Sequence, residues 1–101
     1  MIKKITIKEF DSFVKENPLC VVDFYADWCG PCKMLGQELQ ALSDEKGLMV
    51  GKVDIDDEIN MDLAMKYNIQ AIPFIVIFKD GKEYKTSLGY KNKEELLGML
   101  A

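Results

Sequence analysis

Leu19-Cys20-Val21-Val22-Asp23-Phe24-Tyr25-Ala26 is the stretch that most limits what this chain can become. It is almost wholly apolar and rich in β-branched and aromatic residues, the pattern of a strand covered on both faces. Such a strand needs a layer above and a layer below it. Directly after it stands Trp28-Cys29-Gly30-Pro31-Cys32-Lys33, and the residues from Lys33 to Lys46 carry a helical pattern. Leu35, Leu39 and Leu42 form its inward stripe, with Gly47 as a stop. Two cysteines three residues apart therefore sit where a buried strand turns into a helix. On the first turn of a helix, positions i and i+3 share a side, so two sulfurs can reach bonding distance. The free N–H groups and the positive end of the dipole there favour a thiolate. A cysteine so placed has a lowered pKa and is a nucleophile near neutral pH. Pro31 suits the first turn, where its missing N–H costs nothing, and Gly30 lets another backbone approach. The stretch points to thiol–disulfide exchange.

The rest of the chain supplies the layers. Residues 2–7 alternate apolar and polar, as a half-buried edge strand does, and residues 8–16 carry Phe10, Phe13 and Val14 at helical spacing before Asn17-Pro18. Residues 48–55 read as a strand, and a short helix carrying Ile59, Leu63 and Met65 follows it. Residues 74–78 form another apolar strand. Asp80-Gly81 is a hairpin signal joining it to residues 83–88, and residues 93–100 close the chain as an amphipathic helix. Parallel strands joined by right-handed crossovers, followed by an antiparallel hairpin, give an α/β fold. Its core is a mixed, five-stranded central sheet flanked by four helices on both faces.

At 101 residues the chain is expected to be a single domain over 1–101. A net charge of −4 with no basic cluster argues against nucleic acid, and no apolar run is long enough to span a membrane. Lys8, Glu9 and Asp11 interrupt the start before any leader-like apolar run, so no secretory signal is expected. With no histidine, Ser-His and Cys-His nucleophile pairs are excluded, as are mixed Cys/His zinc sites. Three cysteines are too few for a four-thiolate site, and half of a zinc site would need carboxylates or a second chain. No metal or other cofactor is expected. The odd count also does not fit a disulfide-stapled secreted scaffold and favours a cytoplasmic location.

Asp23 is a carboxylate inside an apolar strand. Alternation places it on the face of Val21 and Tyr25, where burial raises its pKa and suits it to general base work; the bland alternative is a strand-end aspartate meeting solvent. Lys52 lies in a strand otherwise made of Val50, Val53 and Ile55. In a parallel unit this strand can neighbour the one bearing Asp23, so its ammonium can partner that carboxylate, or else snorkel to the surface. Pro73 precedes an apolar strand, where proline needs a special reason. Cys20, inside the buried strand, reads as a small hydrophobe outside the redox pair.

Over essentially its whole length the chain resembles the thioredoxin family. The stretches that carry the resemblance are Val22 through Met34 with its Trp-Cys-Gly-Pro-Cys-Lys string, Lys52-Val53-Asp54-Ile55-Asp56, Ile72-Pro73, Phe78-Lys79-Asp80-Gly81, and Gly89. The resemblance implies the thioredoxin fold, a monomer, and disulfide-containing protein substrates, with a thioredoxin reductase recycling the dithiol. It implies a redox disulfide between Cys29 and Cys32, with Cys29 the nucleophile and Cys32 the resolving thiol. Asp23 would be the proton acceptor, tuned by Lys52. Trp28, Gly30 and Pro31 would form the active-site loop. Trp28, Ile72, Pro73, Gly89 and Tyr90 would bind substrate through a shallow apolar patch, although Trp28 as plain core filler is the alternative. It further implies a cis bond before Pro73, leaving the Ile72 backbone free to pair with an extended substrate segment.

The chain departs from the family pattern in four places. Gln37, preceded by Gly36, stands where a proline usually kinks the dithiol helix, and Tyr25 where tryptophan is common. Phe74 and Tyr90 stand where smaller residues are usual. Two other functions compete with reduction. An oxidase or isomerase of the same fold is disfavoured by Gly-Pro between the cysteines, since oxidising members usually carry a histidine there. A non-catalytic subunit that binds a partner through the apolar patch would tolerate loss of Cys29.

Overall fold

In the computed structural model, which describes residues 1–101, β2 (Leu19–Tyr25) is the middle of a five-stranded sheet ordered β1-β3-β2-β4-β5. Every residue of β2 after Leu19 is buried, as a doubly covered strand requires. Cys20, Val22 and Phe24 pack with Phe10, Phe13 and Val14 of α1 (Ile7–Glu16) and Leu63 of α3 (Met61–Lys66). Val21 packs on the opposite face with Leu35, Leu39 and Leu42 of α2 (Gly30–Lys46) and Leu96 of α4 (Lys93–Leu100). Burying three such side chains on each of α1 and α2 and one on each of α3 and α4, at about 1.5–3 kcal/mol each, holds the layers to the sheet.

Strand β3 (Met49–Asp54) pairs in parallel with both β2 and β1 (Ile2–Lys4), with Asp23 opposite Lys52 and Tyr25 opposite Asp54. Strand β4 (Phe74–Lys79) runs antiparallel to β2, and β5 (Lys82–Leu88) antiparallel to β4. The sheet thus turns mixed at the β2–β4 pair, one strand before the hairpin. Asp80 and Gly81 both have positive φ, 53° and 79°, which the two-residue hairpin demands.

Two sequence expectations are corrected. The first strand ends at Lys4 instead of running to Ile7, because Thr6 caps α1: its side chain accepts from the Lys8 N–H at 3.2 Å while Glu9 reaches back to the Thr6 N–H. The short helix after β3 is two pieces, a 3₁₀ turn at Glu58–Asn60 and then α3. Its change of pitch breaks the single helical phase, so Leu63 faces in while Ile59 and Met65 are exposed. Asn60 is the residue buried from the turn. It accepts from the Ile7 N–H at 2.9 Å and donates to the Asp54 carbonyl at 3.0 Å, tying β3 to the start of α1.

Gly51 of β3 faces α1 at close range: a Cβ there would lie 2.7 Å from Ile5 Cδ1 and 3.0 Å from the Phe13 ring. Ile5 can yield and the aromatic ring cannot, so Gly51→Val is expected to cost about 3 kcal/mol and Gly51→Ala less. Urea unfolding checks this. A midpoint unchanged in the valine variant would mean that the β3–α1 contact is looser than these distances.

Candidate active site

The main chain leaves β2 at Tyr25, passes Ala26 and Asp27, and starts α2 at Gly30. Cys29 is the N-cap of that helix, with Pro31 in its first turn. The Cys29 N–H donates to the Ala26 carbonyl at 3.1 Å, and the Cys29 carbonyl accepts from the Lys33 N–H at 3.2 Å. The Cys29 sulfur itself accepts from the Cys32 N–H at 3.2 Å. A backbone donor at the positive end of a helix is thus already aimed at Cys29 Sγ, and it would stabilise that sulfur as an anion. Cys29 and Cys32 are joined in a disulfide with their Cα atoms 5.2 Å apart.

Both cysteines are covered in this disulfide form, at 5% exposure for Cys29 and 3% for Cys32. They differ in what covers them. Cys29 lines a cleft of about 420 Å³, and Cys32 does not. Trp28, Gly30 and Pro31 line that cleft from the dithiol loop, and Gln70, Ala71 and Ile72 line it from the segment before β4; Ile55 and Ile69 complete it. The Ile72–Pro73 bond is cis, and Pro73 is buried. Gly89 and Tyr90 do not line the cleft; the Gly89 N–H donates to the Pro73 carbonyl at 2.7 Å, behind the cis bond. An adjoining cleft of about 460 Å³ beside α3 is slightly larger but holds no thiol.

Trp28 is 70% exposed, not core filler. Its indole N–H donates to the Asp56 carboxylate at 2.7 Å, which holds the ring at the rim of the cleft. No spacing rule pairs Trp28 with Asp56. Only the β3–β2 pairing brings the loop after β3 beside the loop after β2.

Asp23 is fully buried, and neither carboxylate oxygen has a hydrogen-bond partner. Burial pushes its carboxyl up to about 7, against an opposing pull from Lys52. The two residues are register partners, as expected, but no ion pair joins them. The Lys52 ammonium stands 4.2 Å from the centroid of the Tyr25 ring. Cys20 lies on the far face of the sheet, where burial pushes its thiol up to about 11, so it is a packing residue with no thiolate to offer near neutral pH. No group of three His, Cys, Asp or Glu side chains converges as a metal site would require.

The whole chain, residues 1–101, matches the family model described as thioredoxin. The chain belongs to the thioredoxin family. A thioredoxin of Chlamydia caviae is 40% identical over 101 residues, covering 99% of this chain and 96% of the relative. One of Bacillus subtilis is 40% identical over 97 residues, covering 94% and 90%. A mutant thioredoxin from Halobacterium salinarum superposes with a TM-score of 0.89 at 31% identity, covering 98% of this chain and 87% of that one. With a cysteine pair at disulfide distance on a thioredoxin fold, the chain is a thiol–disulfide oxidoreductase, a protein disulfide reductase of this family. Thioredoxins act on disulfide substrates and are themselves reduced by thioredoxin reductase.

Proposed function

We propose that the chain, as one domain over residues 1–101, reduces protein disulfides with Cys29 as nucleophile and Cys32 as resolving thiol. The carrying observation is the asymmetry of the pair. Cys29 caps the helix and opens on the cleft, while Cys32 lies behind it. The Cys29 thiolate attacks one sulfur of the substrate disulfide; a mixed disulfide forms and the other substrate sulfur leaves as a thiolate that takes up a proton. Cys32, losing its proton to Asp23, then attacks Cys29 Sγ. The substrate's second thiol is released, and two electrons have passed from the dithiol to the substrate. A buried carboxyl that holds its proton up to about pH 7 exchanges protons readily near neutrality, as this role requires. Lys52 tunes that carboxyl through space.

Trp28 and Ile72 in the cleft, with cis-Pro73 and the Gly89–Tyr90 turn supporting its edge, would take an extended, mostly apolar substrate segment. No helix is long and apolar enough to cross a membrane. The setting that suits this chemistry is the cytoplasm, with the protein a monomer recycled by a thioredoxin reductase. The test is NADPH consumption in the presence of a flavin-linked thioredoxin reductase and a disulfide-containing protein. Consumption should require all three proteins and stop when the substrate disulfides are exhausted. A reduction potential as high as about −120 mV, that of a dithiol oxidase, would overturn the reductase assignment.

A further inference from the structure

We propose that Tyr25 is a positioning residue, whose ring draws the Lys52 ammonium away from the Asp23 carboxylate so that the two never form an ion pair. The proposal rests on the reading of Asp23 as the proton acceptor, and it names what sets that group's proton affinity.

Asp23 and Lys52 face each other across β2 and β3, and both sit on the side of the sheet that α2 covers. A carboxylate and an ammonium placed so close in a poorly solvated interior attract strongly, and a direct pair is the simple expectation. The ammonium goes elsewhere. It stands over the ring of Tyr25, two residues further along the same face of β2, while both Asp23 oxygens are left without partners. The ion pairs of the chain are Lys4–Asp54 and Lys93–Glu45. Over the ring, the ammonium meets the negative face of an aromatic quadrupole. Because Lys52 is only half-buried there, its head stays near water with its stem against the sheet.

The helix above leaves space for this arrangement. A Cβ on Gly36 of α2 would stand 3.8 Å from Lys52 Nζ, so the ammonium passes beneath a residue that has no side chain. Charged groups elsewhere do not compete for it. Tyr25 is flanked by Lys4 of β1 and Asp54 of β3, themselves paired at 3.9 Å, and by Asp27 in the following loop. Asp23 is opposed on β4 by Ile75, and Lys52 is the charged side chain that acts on it. With the lysine held over the ring, burial decides the behaviour of Asp23.

The test is the titration midpoint of the Asp23 carboxyl, followed by its ¹³C chemical shift in the disulfide form, where neither active-site thiol titrates. Tyr25→Phe and Tyr25→Trp keep an aromatic face and should leave the midpoint within about 0.3 unit of the parent. Tyr25→Leu removes it, lets Lys52 swing to the carboxylate and should lower the midpoint by about one pH unit, the low end of what an adjacent opposite charge produces. In a Lys52→Met background, Tyr25→Leu should move it by less than about 0.3 unit, because there is no ammonium left to redirect. An unchanged midpoint in Tyr25→Leu overturns the proposal. So does an equal fall in both backgrounds, which would mean that the smaller side chain merely admits water. Should Tyr25→Leu not fold, Tyr25→Met is judged by the same criteria. The pH profile of protein-disulfide reduction separates the two levels. If the midpoint moves as described and the profile does not follow it, the positioning role stands and the proton-acceptor role of Asp23 falls.

Discussion

Cys29→Ser should lower protein-disulfide reduction by about a thousandfold or more, while Cys32→Ser should stop turnover but leave the first chemical step intact. A serine hydroxyl is not ionised near neutral pH, so the helix N-terminus and the Cys32 N–H have no anion to stabilise at position 29. With Cys32→Ser, the mixed disulfide on Cys29 has no internal thiol to attack it, and it accumulates as a covalent adduct with the substrate. Mass spectrometry of the reaction should then show a one-to-one adduct on Cys29 that dithiothreitol reverses. The asymmetry is the informative part. If the two serine variants formed adducts equally, the coverage of Cys32 behind Cys29 would not translate into roles, and the sulfurs would be interchangeable. If neither substitution altered reduction, the chain would be acting through its apolar cleft and not through its dithiol.

What was legible around the dithiol was local. The apolar run 19–26, the cysteine spacing, Pro31 in the first helical turn and Gly47 at the last are each dictated by neighbours within a few residues, and each stands where the sequence pattern puts it. The hairpin at Asp80-Gly81 belongs to the same class, since its backbone needs two positive φ angles and those two residues tolerate them. Thr6 and Glu9 show a local signal outweighing a longer pattern: the alternation of residues 2–7 suggested a strand, yet the capping box at the start of α1 ended it early. Features set by pairing across the sheet were harder to read. The antiparallel entry of β4, the Trp28–Asp56 hydrogen bond and the burial of Asn60 join segments far apart in the chain, and no periodicity encodes them.

Lys52 is the sharper case. Its neighbourhood with Asp23 could be expected from parallel pairing, but pairing says only which backbones adjoin. Where a long side chain sends its charge depends on every group within reach. Here an aromatic face and a bare helix position outweigh the carboxylate. Tyr25, a departure from the family pattern, and Gly36, which precedes another at Gln37, therefore meet at one ammonium group.

The same buried carboxyl gives the largest expected change in stability. In the unfolded chain Asp23 ionises near its ordinary 3.8, and in the folded protein near 7. Between those values the folded state keeps a proton that the unfolded state has lost. Unfolding therefore releases a proton, and stability falls as pH rises, by about 1.4 kcal/mol per unit, until the loss levels off above pH 7. Over the whole window this amounts to about 4 kcal/mol, a large part of the margin of an ordinary domain. Asp23→Ala removes that loss and leaves a small cavity that costs about 1 kcal/mol at every pH. The variant should be less stable than the parent at about pH 4, equal to it near about pH 4.5, and more stable by about 3 kcal/mol at about pH 8. Urea unfolding of the disulfide forms at fixed pH measures the difference. Two stability curves that stay parallel across that range would show that Asp23 is ionised throughout, paired or hydrated in a way that this structure does not have. A gain at the alkaline end accompanied by slower release of the mixed disulfide would show what the parent keeps in exchange for its lower stability: a proton acceptor held where water cannot satisfy it.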